Sequence, residues 1–352
     1  MTQPSSQRSL ATVSSLFQNF AERECINVSP LYYQLAIEVA QNQYLLQLAS
    51  KARTRQPIPN LFFGAVHFLL LSEPTLALAQ YYPSITKGLS SRIPIAAFLD
   101  FCKSKEAELI ELLQTRIVQT NALNRTAYLM PIASSRFRDS EGVNLVDIGS
   151  SSGLTMNFDQ YRYNYNDKIE IGEGRVQIKS SILAGKLPTF EKVVKIKRKI
   201  GIDQNPLDLK VPDNAIWLQA LIWPDLLERF ARMEAAIEEA RAANISVLAG
   251  SQLEDFRALI NSVPKEESLL VYHTHVLYQF SPAERLAFRE LMNDIGTSRN
   301  LLYLAVEGHS IFDDILPLSI GIQIVLTTYQ AGIKTVEHLG TTDGHATWIR
   351  WR

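Results

Sequence analysis

NLVDIGSSSGLTMNF, residues 144–158, divides the chain: the residues before it read as helix, and those after it alternate strand with helix. Upstream, Leu10, Val13, Phe17, Phe20 and Ala21 fall on one helical face. The run SPLYYQLAIEVAQNQYLLQLASKA opens with Ser29 as N-cap and Pro30 at the first helical position. It predicts one helix that lasts until the basic, proline-bearing KARTRQPIPN. LFFGAVHFLLL, residues 61–71, is apolar all round, as in a helix at the centre of a bundle, and is too short to cross a bilayer. His67 within it is expected to be a hydrogen-bonded core histidine. PIAAFLDFCKSKEAELIELLQTRIVQT predicts a last long helix, and no segment before about residue 143 carries a strand signal.

Downstream, VNLVDIG, VVKIKRKIGID, ISVLAG, the start of SLLVYHTHVLYQF, NLLYLAVEG and IQIVLTTYQ read as strands. GLTMNFDQY, WPDLLERFARMEAAIEEARAAN, SQLEDFRALINSV and SPAERLAFRELMNDIG read as helices. RVQIKSSIL resembles part of a hairpin, and IKTVEHLG with ATWIRW predicts closing antiparallel strands. This alternation predicts an α/β fold with a mostly parallel, doubly wound sheet. At 352 residues the chain exceeds one ordinary core. The predicted organisation is an all-helical N-terminal domain over about residues 1–125, ahead of a doubly wound domain over 126–352. A formal net charge of −1 supplies no general field toward nucleic acid or an anionic membrane. Cys25 and Cys102 are the only cysteines, which excludes a disulfide scaffold and suits a reducing cytoplasm. The polar start, MTQPSSQRSLATVSSLF, lacks the apolar core of a signal peptide. A cytoplasmic protein with a small-molecule partner is the expectation; oligomeric state is not legible.

The dividing segment admits three readings. Strand, glycine-bearing loop and helix together form a nucleotide cradle, because glycine lets backbone approach a ligand and the helix start offers free N–H groups. The dinucleotide pattern G-x-G-x-x-G fails, since Ser151 stands where its middle glycine belongs. Asp147-x-Gly149-x-Ser151-x-Gly153 instead follows, with one departure, the acid-x-Gly-x-Gly-x-Gly pattern of doubly wound methyltransferases. An acid ahead of the loop suits the cationic centre of S-adenosylmethionine better than a pyrophosphate. The same letters satisfy G-x-S-x-G, the elbow of serine hydrolases, with Ser151 as nucleophile and His273 or His345 as base. An elbow serine sits mid-sheet after several strands, however, and only helices lie upstream here. The third reading is a serine-rich turn without ligand.

A cofactor of this kind needs an acid at the end of the second strand to accept from ribose hydroxyls. KIGIDQNPLDL supplies Asp203, with Asp208 as a second candidate; an inserted hairpin over 167–190 accounts for its distance from Gly153. The third strand ends at Gly250-Ser251-Gln252 without the acid that often contacts adenine, although Glu254 and Asp255 are near. In VYHTHVLYQF, His273 and His275 are two apart, so a continuing strand puts them on one face at the crevice where doubly wound sheets bind ligands. Either is a candidate general base. A zinc reading of the pair lacks a third ligand. Glu307 and His309 end the next strand and are expected to line the same cleft, whereas Tyr161, Tyr163 and Tyr165 read as packing.

These motifs resemble the bacterial family called domain of unknown function 2332. The matching residues are Asp147-Ile-Gly149-Ser-Ser151-Ser-Gly153-Leu154-Thr155, Asp159-Gln-Tyr161, Gly201-Ile-Asp203, Pro206-Leu-Asp208, Ile222-Trp223-Pro224-Asp225, Tyr272-His273-Thr274-His275-Val276 and Asp343-Gly344-His345. Gln56-Pro57 and Ala65-Val66-His67 resemble its helical region. The resemblance implies a Rossmann-like, methyltransferase-like fold and no particular substrate. The combined expectation is methyl transfer from S-adenosylmethionine to a small molecule. Asp147, Gly149, Ser151, Gly153 and Asp203 would hold the cofactor, and His273 or His275 would serve the acceptor. A cofactor-binding protein of the same fold without turnover remains the alternative to it, as does the hydrolase.

Overall fold

The computed structural model describes residues 9–88, 92–119, 121–138, 140–243, 245–312 and 320–352. The chain separates into two compact units, Met1–Thr120 with Lys210–Glu234, and Asn121–Leu209 with Ala235–Arg352.

The first unit is helical because its apolar residues recur at helical spacing. Val13, Phe17 and Phe20 are the buried face of Leu10–Phe20. Phe17 packs edge-on against Phe62, with ring centroids 5.9 Å apart, and Tyr32 stacks on Phe63 at 4.7 Å. Ser29 caps Pro30–Gln41 by accepting from the Tyr32 N–H, and its hydroxyl donates to Asp225. The long helix expected here is broken at Asn42, whose side chain accepts from the Leu45 N–H and so starts a new helix, Gln43–Ala49. The last long helix is likewise split at Lys105, into Ile95–Ser104 and Glu106–Thr115. Ile58–Ser72 is buried on nearly every side. His67 within it is a satisfied core residue, with Nδ1 3.0 Å from the Ala220 carbonyl and Nε2 2.8 Å from the Ser84 hydroxyl. Trp217, on Pro212–Ala220, donates its indole N–H to the Ile117 carbonyl at 2.9 Å. Among the described residues no helix is long and apolar enough to cross a membrane.

The second unit is built on one mixed, mostly parallel sheet of eleven strands. In chain order they are β1 (Val143–Ile148), β2 (Arg162–Tyr165), β3 (Ile169–Ile171), β4 (Gln177–Ala184), β5 (Ile196–Asp203), β6 (Ile245–Ala249), β7 (Leu269–Thr274), β8 (Leu301–Gly308), β9 (Ile322–Gln330), β10 (Ile333–Thr342) and β11 (Trp348–Trp351). Their spatial order is β3-β2-β4-β11-β10-β9-β8-β7-β1-β5-β6. All six residues of β1 are buried, as in a parallel strand covered on both faces. It lies between β5 and β7, parallel to both, so the strand order reverses beside it. The expected closing pair is present, with β10 antiparallel to β11. The insertion after the first loop forms β2, β3 and β4, which extend the far edge of the sheet.

Helices cover this sheet. Leu253–Asn261 and Pro282–Ser298 bury Phe256, Ile260, Phe288 and Met292 against Val146, Ile148 and Val271. The second of them starts in a capping box: Ser281 accepts from the Glu284 N–H, and Glu284 accepts from the Ser281 N–H. The helix expected after the first loop is a 3₁₀ segment, Leu154–Gln160. Tyr161, Tyr163 and Tyr165 brace this region, donating to the Leu154, Phe158 and Ala127 carbonyls at 2.6–2.7 Å.

Candidate functional site

The carboxyl ends of β1, β5 and β7 gather Asp147, the loop Gly149–Gly153, Asp203 and His275. This is where the order of a parallel sheet reverses and where open α/β sheets bind ligands. Asp147 is 4% exposed, and its Oδ2 accepts from the Tyr272 hydroxyl and from Thr155 Oγ1, each at 2.9 Å. Burial pushes its pKa up to about 7, against the pull of those two hydroxyls; the Asp203 charge adds to the rise and Arg125 opposes it.

The loop is held largely by its own protein. The Gly149 N–H donates to the Ile202 carbonyl at 2.8 Å, and the Ser151 N–H donates to Asp203 Oδ2 at 2.7 Å. Asp203 Oδ1 takes the Asn205 N–H at 2.8 Å. Asp203, the expected acceptor from ribose hydroxyls, ties the two loops together, which leaves its remaining lone pairs to face a ligand. Gly149 and Gly153, expected to admit a close ligand, both have positive φ, 77° and 76°, but a Cβ on Gly149 would lie 2.4 Å from Val276 Cγ2 and one on Gly153 2.6 Å from Ile245 Cγ2. The space on the Cβ side of each is filled by packing. Gly149→Ala should therefore lower stability by about 2–4 kcal/mol, measured by urea unfolding, from a left-handed backbone and an overfilled contact together. A loss under about 1 kcal/mol would mean that Val276 yields freely.

Ser151 is also left-handed, with φ 53°, and is 7% exposed. Its hydroxyl accepts from Asn121 Nδ2 at 3.2 Å, and Ser152 donates to Asn121 Oδ1 at 3.0 Å. An amide thus stands where a hydrolase nucleophile needs a base.

The two histidines do not share a face. The strand ends at Thr274, and His275 turns out of it with φ 55°. His273 is fully buried on the opposite side of the sheet from Asp147, with Nδ1 2.8 Å from Glu307 Oε1 and Nε2 2.6 Å from the Tyr303 hydroxyl. With both nitrogens engaged it has none to offer a substrate. Glu307, expected in the cleft, is also fully buried there. Its Oε1 collects His273, the Val276 N–H at 2.6 Å and the Leu277 N–H at 2.9 Å. Burial raises its carboxyl, but the hydrogen bond and charge of His273 and the two N–H groups outweigh this and leave it below its ordinary value. Burial pushes His275 down to about 4, aided by the Arg125 charge and by His345 and His273, with Glu307 opposing. It is therefore neutral near pH 7.

Sequence reasoning missed Arg125, Tyr128, Tyr272 and Thr155. Arg125 Nε donates to the Gly344 carbonyl at 3.1 Å and Nη1 to Thr274 Oγ1 at 3.2 Å. Thr155 and Tyr272 stand within the family-like motifs, as the residue after Leu154 and the one before His273, and no signal marks their hydroxyls as the partners of Asp147. Arg125 belongs to no motif.

The profile of a family described as an uncharacterized protein conserved in bacteria, domain of unknown function 2332, matches residues 14–351. The chain belongs to this family. In this member of the family the matching loop, second-strand acid and Tyr-His-Thr segment meet at the carboxyl ends of adjacent strands. No curated protein matches the sequence.

Proposed function

We propose that the second unit is a Rossmann-like domain that binds S-adenosylmethionine and transfers its methyl group to a small molecule. Numbered by appearance in the chain, the parallel run β6-β5-β1-β7-β8 has the order 3-2-1-4-5, which is the order of doubly wound nucleotide-binding sheets. The observation that carries the reading is Asp147: a buried acid, poised near pH 7, at the tip of the central strand beside the order reversal. A cation is the ligand chemistry that relieves such a group. The residues fit best at that end of the cofactor, where Asp147 would meet the ammonium. The spare lone pairs of Asp203 would face the ribose.

The cofactor supplies a methyl group already activated on sulfur, so the chain's residues need only position and shield. His275, neutral and half-buried, offers a lone pair to orient an acceptor or take its proton. His273 is withdrawn from that role and instead holds the turn at Val276 through Glu307. Calorimetric titration with S-adenosylhomocysteine tests the reading: a saturable heat with thermal stabilisation is expected, and neither appearing at millimolar ligand would overturn it. The left-handed Ser151 is the one observation on the side of hydrolysis, and covalent labelling of Ser151 by a fluorophosphonate would move the assignment there.

A further inference from the structure

We infer that the crevice at the carboxyl ends of β1 and β7 is built to hold an α-amino acid group, with Asp147 taking its ammonium and Arg125 its carboxylate. Placing that group on the methionine end of S-adenosylmethionine rests on the function proposed for the second unit; the α-amino acid chemistry itself does not.

Asp147 and Arg125 are opposite charges close enough to act on each other, and each is anchored on hydroxyl groups. Asp147 Oδ2 takes Tyr272 and Thr155, while Arg125 is anchored on Thr274 Oγ1 and the Gly344 carbonyl. Tyr272 and Thr274 are alternate residues of β7 and so lie on one face, about 7 Å apart along the strand. A ligand group lying along that face would make a charge-assisted bond of about 2.8 Å with each charge. The Arg125 anchors use Nε and one Nη1 hydrogen, which leaves the outer Nη edge of the guanidinium for a carboxylate. Tyr128, 1% exposed, lies within the fields of both charges, with its hydroxyl beside Thr274. Asp203 and Glu307 are the other charges that act on this face, the latter engaged with His273 behind the sheet, and His275 is neutral beside His345. An anion alone would leave Asp147 unpaired, and a cation alone would leave Arg125 so. The zwitterion answers both.

The test titrates the unaltered protein with four probes by calorimetry. S-adenosylhomocysteine carries the full amino acid, its decarboxylated analogue 5′-(3-aminopropyl)thioadenosine lacks the carboxylate, 5′-methylthioadenosine lacks the whole group, and methionine lacks the nucleoside. At least about tenfold weaker binding is expected when the carboxylate is removed, and more when the whole group is. Arg125→Lys should lose at least about tenfold toward S-adenosylhomocysteine and leave methylthioadenosine unchanged, so a misfolded variant is recognised by loss of both. Equal binding of methylthioadenosine and S-adenosylhomocysteine overturns the inference and leaves the cofactor reading standing. Binding of methionine with none of the three nucleosides does the reverse. No binding by any probe overturns both.

Discussion

Asp147→Asn should make the protein more stable at pH 8, by about 2–3 kcal/mol, while weakening S-adenosylhomocysteine binding at least about tenfold. The folded-state pKa of Asp147 is raised from 3.8 to about 7. The native state therefore binds the proton more tightly than the unfolded chain does. That contribution is fully present below about pH 4 and is lost as pH rises through about 7, so at pH 8 the wild type carries an ionised, buried carboxylate. A shift of this size corresponds to about 4 kcal/mol. The amide keeps an oxygen for Tyr272 and Thr155 but adds a buried N–H₂, which reduces the gain. Chemical unfolding at pH 8 and pH 4 checks the sign: the stabilisation should be present at the first and absent at the second. A variant less stable than the wild type at pH 8 would mean that Asp147 already has a cationic partner when folded.

Glu307→Ala should lower stability by about 3–5 kcal/mol. Its Oε1 is the shared acceptor of His273 Nδ1 and of the Val276 and Leu277 N–H groups, all buried. Glu307→Gln keeps an acceptor and should recover part of the loss. The folded-state pKa of Glu307 lies below its ordinary 4.5, so its contribution is present above that value and is lost as pH falls below it. Acid unfolding of the wild type should thus run against the Asp147 effect, and the alanine variant should lose the Glu307 part of the acid limb. A loss below about 1 kcal/mol in urea unfolding would show that water replaces the carboxylate at little cost.

The parallel strands were legible because most are short apolar runs bounded by turn residues and β1 is buried on both faces, whereas β2 and β3, RYNY and IEI, are too short and polar to stand out. Helix starts were legible where a side chain caps them, at Ser29 and Ser281. Helix interruptions at Asn42 and Lys105 were not, since the apolar stripe runs straight through both. Thr126–Arg136 escaped because Pro131 sits inside it and its residues are buried all round, which erases the amphipathic stripe. Asp147 was legible as an acid before a glycine loop, but its raised pKa comes from burial that only the fold creates. The pairing of His273 with His275 failed at one backbone angle: the left-handed turn at His275 ends the alternation that placed them together. Arg125 had no local signature, because Thr274 and Gly344 come to it from about 150 and 220 residues away in the chain.

The most direct measurement of the central claim is the affinity for S-adenosylhomocysteine between pH 6 and pH 8, in the wild type and in Asp147→Asn. If the ligand's ammonium rests on the ionised Asp147, wild-type affinity rises with pH and levels off above about 7, and the variant binds weakly with no such rise. Identical pH profiles in the two proteins, at equal affinity, would contradict it.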